Sequence, residues 1–347
     1  MTTISYPPKP SPGDRIAVIS PSSGLPGLFP LPYELGLERL RKEYGLEPVE
    51  YPATRKMGAT PRERADDIHA AFADPDVRAV IATIGGDDQL TVLPHLNREL
   101  IRANPKPFFG MSDNTSLLAY LYNTGIVGYH GATVMCELGR PGAMHPQTAD
   151  SLRAALFTSG PYELAPAERW RDVDRDWADP ATFDAEPETR PGTGWTWVNP
   201  DRVVEGRGWG GCLEILGWLL MADREIADPA EYDGGVLLLE TSEEMPSAAE
   251  VFRTLRNMGE RGLLRRFSAL LTGRPKTWSF ERPNSPEEGA RYAAEQREAV
   301  LRAMRTYAPD TTIVFDVDFG HTDPQVVIPY GGTFRVDGPA RRITVMY

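Results

Sequence analysis

Residues 79–84, Ala-Val-Ile-Ala-Thr-Ile, form a near-continuous apolar run that stops abruptly at Gly85-Gly86-Asp87-Asp88. A run with no polar alternation has no face to turn to water, so it predicts a central strand covered on both sides. That condition is met by a parallel sheet between layers of helices, and the flanking sequence supplies both. Further short strands are predicted over residues 15–20, 48–51, 107–109 and 127–131. Between them, helices are predicted over residues 33–44, closed by Gly45, and from Thr60-Pro61 onward, with proline at the tolerated first position. Helices also follow over residues 90–96, 98–103, 116–122 and 147–157. Residues 1–160 therefore read as an α/β domain with a mostly parallel sheet between helices.

Composition changes after Gly160. Residues 161–200 are rich in Pro, Asp, Glu, Arg and Trp without a sustained period, and read as a long inter-domain loop. Trp170, Trp177, Trp195 and Trp197 within it argue against disorder. Residues 201–347 carry short strands separated by turns, an amphipathic helix over residues 248–258 and a long charged helix over residues 286–307. They read as a C-terminal β-rich α+β domain.

The chain has 347 residues and a net charge of −12. That charge argues against a nucleic-acid surface, which needs a basic patch. Cys136 and Cys212 are the two cysteines, too few for a disulfide framework. None of His69, His95, His130, His145 and His321 pairs with Cys or His at a metal-ligand spacing, so no metal and no cofactor are expected. The polar, proline-rich N-terminus does not resemble a signal peptide, and no apolar run approaches a membrane span. A soluble, cytoplasmic protein with no membrane partner is expected.

Gly110-Met111-Ser112-Asp113-Asn114-Thr115 lies between an apolar strand and a helix. Ser112 at such a turn projects from the sheet edge, where unpaired helix N–H groups favour negative charge. That suits a nucleophile whose attack on a carbonyl creates an oxyanion. The structural alternative is that Ser112 or Asp113 merely caps the helix. Glu240 ends the apolar run of residues 236–240, and His321 follows another strand in a glycine-flanked turn. A serine, a base and a carboxylate that orients the base can form a triad. His130, also beside a glycine after a strand, is the rival base, and Glu243 and Glu244 compete with Glu240.

The order of these motifs resembles the serine peptidase family of LD-carboxypeptidases and microcin C immunity proteins. Gly110–Thr115 is similar to its nucleophile motif, and Ile84-Gly85-Gly86 to its glycine pair. Gly210-Gly211-Cys212-Leu213 resembles its Gly-Gly-Asn-Leu, Leu238-Leu239-Glu240 its glutamate strand, and Phe319-Gly320-His321-Thr322 its histidine segment. The resemblance spans nearly the whole chain. It implies a Ser112-Glu240-His321 triad, an N-terminal α/β domain, a β-rich C-terminal domain, a homodimer and no metal. Backbone N–H groups near Gly86 and Asp113 are the oxyanion-hole candidates. Gly85, Trp170, Trp177 and Cys212 are the substrate-binding candidates. Met111 departs from the family's aromatic residue, and Cys212 from its asparagine. One branch of the family removes D-alanine from muropeptide tetrapeptides. The other cleaves the amide of aminoacyl- or peptidyl-nucleotides such as microcin C and has a longer, tryptophan-bearing loop. Residues 161–200 resemble that loop, so a small peptide or aminoacyl-nucleotide is the expected substrate, with the immunity-like branch preferred. A two-domain binding protein without catalysis is the rival from another class.

Overall fold

The computed structural model describes residues 3–347. In the first half, β1 (Arg15–Ile19), β2 (Glu47–Glu50), β3 (Val77–Ala82), β4 (Phe108–Gly110) and β5 (Gly128–His130) lie side by side in the order β5-β4-β3-β1-β2, all parallel. The helices α1 (Pro30–Lys42), α2 (Pro61–Ala73), α3 (Arg98–Ala103), α4 (Thr115–Thr124) and α5 (Pro146–Phe157) connect or follow them. The apolar run predicted as the central strand is β3, buried except at Arg78. Local chemistry sets the helix ends. Thr60 and Glu63 form a reciprocal capping box on α2, and Gly125, at φ +89°, closes α4. The helix expected over residues 90–96 is instead two short 3-10 turns, Gln89–Thr91 and Leu93–His95. Pro94 explains the difference, because it removes a donor and crowds the preceding turn.

The second half begins with β6 (Pro161–Leu164), then a small ladder of β7 (Arg169–Trp170) and β8 (Arg190–Pro191), and β9 (Thr196–Val198). There follow β10 (Val203–Cys212), α6 (Leu213–Ala222), β11 (Gly235–Glu240), α7 (Ala248–Glu260), β12 (Phe267–Gly273), α8 (Pro286–Tyr307) and β13 (Thr312–Val317). After β14 (Ile328–Tyr330), the hairpin β15 (Thr333–Asp337) and β16 (Arg342–Met346) closes the chain. The second sheet runs β6-β16-β15-β10-β11-β12-β13-β9.

This sheet is mixed, and its centre β10-β11-β12-β13 is parallel and wound by α6, α7 and α8. Two expectations are corrected here. The 161–200 stretch is no bare connection, since β6 and β9 form the two edges of the second sheet. And β14, from the C-terminal segment, adds antiparallel to β5, so the first sheet is completed by the end of the chain. No helix among the described residues is long and apolar enough to cross a membrane.

Candidate active site

Ser112 opens the short 3-10 turn Ser112–Asn114 between β4 and α4, with φ +60°. This left-handed conformation costs a non-glycine residue about 1–3 kcal/mol and persists only where surroundings enforce it. The enforcement is visible. Asn114 Nδ2 donates to the carbonyls of Met111 (2.9 Å) and Ile84 (3.1 Å), and its Oδ1 accepts from Gln89 Nε2 (2.9 Å). Gln89 Oε1 in turn accepts from the Leu117 N–H at 2.8 Å. Asp113 is buried, and its Oδ2 accepts from the Gln89 N–H (2.8 Å). Burial pushes its carboxyl up to about 6. Neither Ser112 nor Asp113 makes a capping bond to α4, so the capping alternative does not hold.

Gly85 presses on this turn. A Cβ there would lie 2.7 Å from Ser112 Cβ and 2.9 Å from its Oγ, with the Asp113 nitrogen at 3.4 Å. A Cβ on Gly86 would meet Ser22 at 3.0 Å and Asp113 Oδ2 at 3.5 Å. The close approach that the paired glycines allow is thus an approach of backbone to the serine and its neighbour.

Glu240 ends β11, buried, and lies in register with Cys212 on β10. Its Oε2 is 2.6 Å from His321 Nδ1, and its Oε1 is 3.6 Å from His130 Nε2. Burial alone would push this carboxyl up, but the two histidines hold it below the usual carboxylate range. Burial opposes the charge on His321, and Glu240 outweighs it, raising the imidazole above the usual histidine range. Glycines make room on both sides. A Cβ on Gly320 would lie 2.7 Å from Glu240 Oε2, and one on Gly273 2.7 Å from Glu240 Cβ.

His321 Nε2 is 3.5 Å from Glu243 Oε2, an exposed carboxylate. His321 and Ser112 line one cleft of about 640 Å³, together with Gly85, Gly86 and Trp177. They make no hydrogen bond to each other, and catalytic hydrogen bonds can tighten only in the complex with substrate. The halves are registered by Thr115 at the start of α4, whose Oγ1 accepts from the Cys212 N–H (3.1 Å). The contact is close because Gly211, at φ +112°, has no Cβ to strike Thr115.

Models of the LD-carboxypeptidase N-terminal domain and C-terminal domain match residues 16–131 and 205–336 respectively. The chain belongs to the LD-carboxypeptidase family. A Vibrio cholerae protein named "Putative carboxypeptidase" is 26% identical over 94% of this chain and 92% of its own length. The microcin C7 self-immunity protein MccF of Escherichia coli is 25% identical over 96% of this chain and 92% of its own length. Among solved structures, an MccF-like protein from Streptococcus pneumoniae in complex with AMP superposes with a TM-score of 0.84. It is 25% identical, and the match covers 96% of this chain and 98% of that one. As an LD-carboxypeptidase homologue, the protein is a serine-type peptidase.

Several residues stand elsewhere than the sequence suggested. Cys212 is buried, with its thiol 3.4 Å from Glu214 Oε2, and does not line the cleft. Trp170 is also outside it, with the guanidinium groups of Arg190 and Arg274 lying 3.8 Å and 4.4 Å from its ring centroid. Both substrate-binding assignments are corrected, Cys212 because it is buried at the N-terminus of α6, and Trp170 because its ring is engaged by two arginines of the protein itself. Trp177 does line the cleft, edge-on to Phe29 at 5.9 Å. His130 is buried behind Glu240, edge-on to Phe319, and is away from the cleft. Sequence reasoning missed Gln89 and Gln325. The buried Gln325 accepts from the Ala132 N–H (3.0 Å) and donates to the Gly320 carbonyl, tying the His321 loop to the first half. Neither carries a motif, and the signal exists only in space. No group of three or more His, Cys, Asp or Glu side chains that could hold a metal ion converges among the described residues.

Proposed function

We propose that Ser112, His321 and Glu240 act as a catalytic triad that hydrolyses an amide bond of an aminoacyl- or peptidyl-nucleotide. Ser112 Oγ attacks the carbonyl carbon while His321 Nε2 takes the hydroxyl proton. The tetrahedral oxyanion is met by backbone N–H groups near Gly86 and Asp113, and each such donor is worth about 10²–10³ in rate. The C–N bond then breaks, His321 delivers the proton to the leaving nitrogen, and an ester to Ser112 remains. Water activated by His321 cleaves that ester, which releases the acid and restores the serine. Glu240 holds the Nδ1 tautomer and stabilises the imidazolium in both steps.

The observation that carries the reading is the 2.6 Å bond from His321 Nδ1 to Glu240, which frees Nε2 to work in the cleft that Ser112 lines. Trp177 in the same cleft supports a nucleotide substrate, because an indole offers a stacking face to any base. The AMP complex of the Streptococcus pneumoniae relative points the same way. The alternative is release of terminal D-alanine from a muropeptide tetrapeptide. Incubation with an aminoacyl sulfamoyl-adenylate and with a tetrapeptide, products identified by mass spectrometry, tests it. Release of the amino acid and sulfamoyl adenosine is expected. Exclusive turnover of the tetrapeptide would move the protein to the carboxypeptidase branch, and turnover of neither would overturn the reading.

A further inference from the structure

The cleft is not lined by catalytic candidates alone. Its lining also includes four cations, Arg140, Arg171, Arg175 and Lys276. Three of them are committed. Arg140 Nε is 2.8 Å from Asp323 Oδ2, and Lys276 Nζ is 2.6 Å from Asp174 Oδ1 and 2.9 Å from the Asp172 carbonyl. Arg171 donates to the Val173 carbonyl, and its backbone pairs with Asp323.

Arg175 is different. It has no hydrogen bond or ion pair among the described residues, and its Nη1 is both shielded from solvent and unpartnered. Burial, and then the neighbouring charge of Arg171, hold its guanidinium down to about 10, although the Asp323 carboxylate pulls the other way without bonding to it. Buried donors are normally paired, and a charged one left without a partner beside a like charge is costly. Folds tolerate such a group where a ligand completes it. A guanidinium offers a planar fork that matches a carboxylate or phosphate oxygen pair. Trp177 lines the same cleft two residues along the chain, so one strap presents a cation and an aromatic face together.

We propose that Arg175, backed by Arg171, seats an oxyanion on the leaving-group side of the substrate. The inference rests on the amide-hydrolase reading above, and both substrates considered there place such an anion next to the leaving nitrogen. In a nucleotide it is the phosphoryl group; in a peptide it is the terminal carboxylate. The site thereby reads the leaving group by charge, while Ser112 and His321 act on the carbonyl.

The test is a binding titration in the full-length Ser112→Ala protein, so that no turnover enters the readout. Four probes are used: AMP, adenosine, a tetrapeptide acid and the same tetrapeptide as its C-terminal amide. With Arg175 intact, at least one anionic probe binds more tightly than its neutral partner. Arg175→Gln should weaken that anionic probe by about tenfold or more, since bonds to charged groups are the strong ones, and leave the neutral partner unchanged. Arg175→Lys should recover part of the loss. A response confined to the AMP pair assigns the phosphoryl group, and one confined to the peptide pair assigns the carboxylate. Equal weakening of charged and neutral probes, or no change in any of the four, overturns the proposal. Because binding is read without catalysis, these outcomes stay decisive even if the Ser112 protein hydrolyses neither substrate, a result that would remove only the amide-hydrolase reading.

Discussion

His321 Nδ1 lies 2.6 Å from Glu240 Oε2, although 81 residues separate them in the chain. The carboxylate reaches that position from the end of β11, and the imidazole from the loop after β13, two strands away in the same sheet. The shared electrostatics have a measurable consequence. As a general base His321 works neutral, so activity rises with pH through its raised pKa, and the ascending limb of kcat/KM is expected above the ordinary histidine value of about 6.5. Glu240→Gln removes the charge that stabilises the imidazolium. The limb should then move to lower pH while the plateau falls steeply. A pH–rate profile of both proteins checks this, and an unmoved limb would separate Glu240 from the titrating group.

Ser112 pairs a chemical role with a strained backbone. Ser112→Ala is expected to abolish hydrolysis with the fold intact, and adding Glu240→Gln or His321→Ala to it should change little, because residues acting as one unit are not additive. Ser112→Gly should be equally inactive yet more stable by about 1 kcal/mol, through relief of the φ +60° conformation. Denaturant melts alongside turnover decide both points. His130→Ala should retain far more activity than His321→Ala, and the reverse order would make His130 the base.

Gly85 sets how near the β3 loop comes to the serine. Gly85→Ala places a methyl 2.7 Å from Ser112 Cβ, so the turn must shift. A misplacement of that order costs about 10²-fold in rate. Gly217→Ala is the matched control, since its new methyl would meet only Thr254 Cγ2 at 3.9 Å. Steady-state kinetics of the pair should show a large loss in the first and almost none in the second.

Trp170 and Trp177 should separate. Trp177→Ala is expected to weaken an aminoacyl-adenylate analogue by about tenfold or more, given stacking worth about 1–3 kcal/mol per base, and to spare a nucleotide-free peptide. Trp170, whose ring is engaged by Arg190 and Arg274, should behave as an anchor. Its alanine variant is expected to lower the melting temperature without discriminating between substrates. Kinetics on both substrates with a melting curve for each variant provide the check, and an equal loss on both for Trp177→Ala would make it an anchor too.

Local pattern carries far in this chain. Apolar runs marked β3 and β11, proline and glycine marked the ends of α1 and α2, and the long charged period of residues 286–307 is α8 to the residue. Ser112, Glu240 and His321 stood out because each ends or follows an apolar run, a property that adjacent residues alone determine. Other features depend on partners distant in sequence. That β14 completes the first sheet, that β10 to β13 run parallel, and that Trp177 lines the cleft while Trp170 and Cys212 do not were decided by packing. The same is true of Gln89 and Gln325, polar residues without a motif whose buried hydrogen bonds lock the serine turn and the histidine loop. Backbone periodicity is set within a few residues by sterics and solvent, whereas the direction a side chain finally faces depends on which strands become neighbours, and that is settled only when the sheets close.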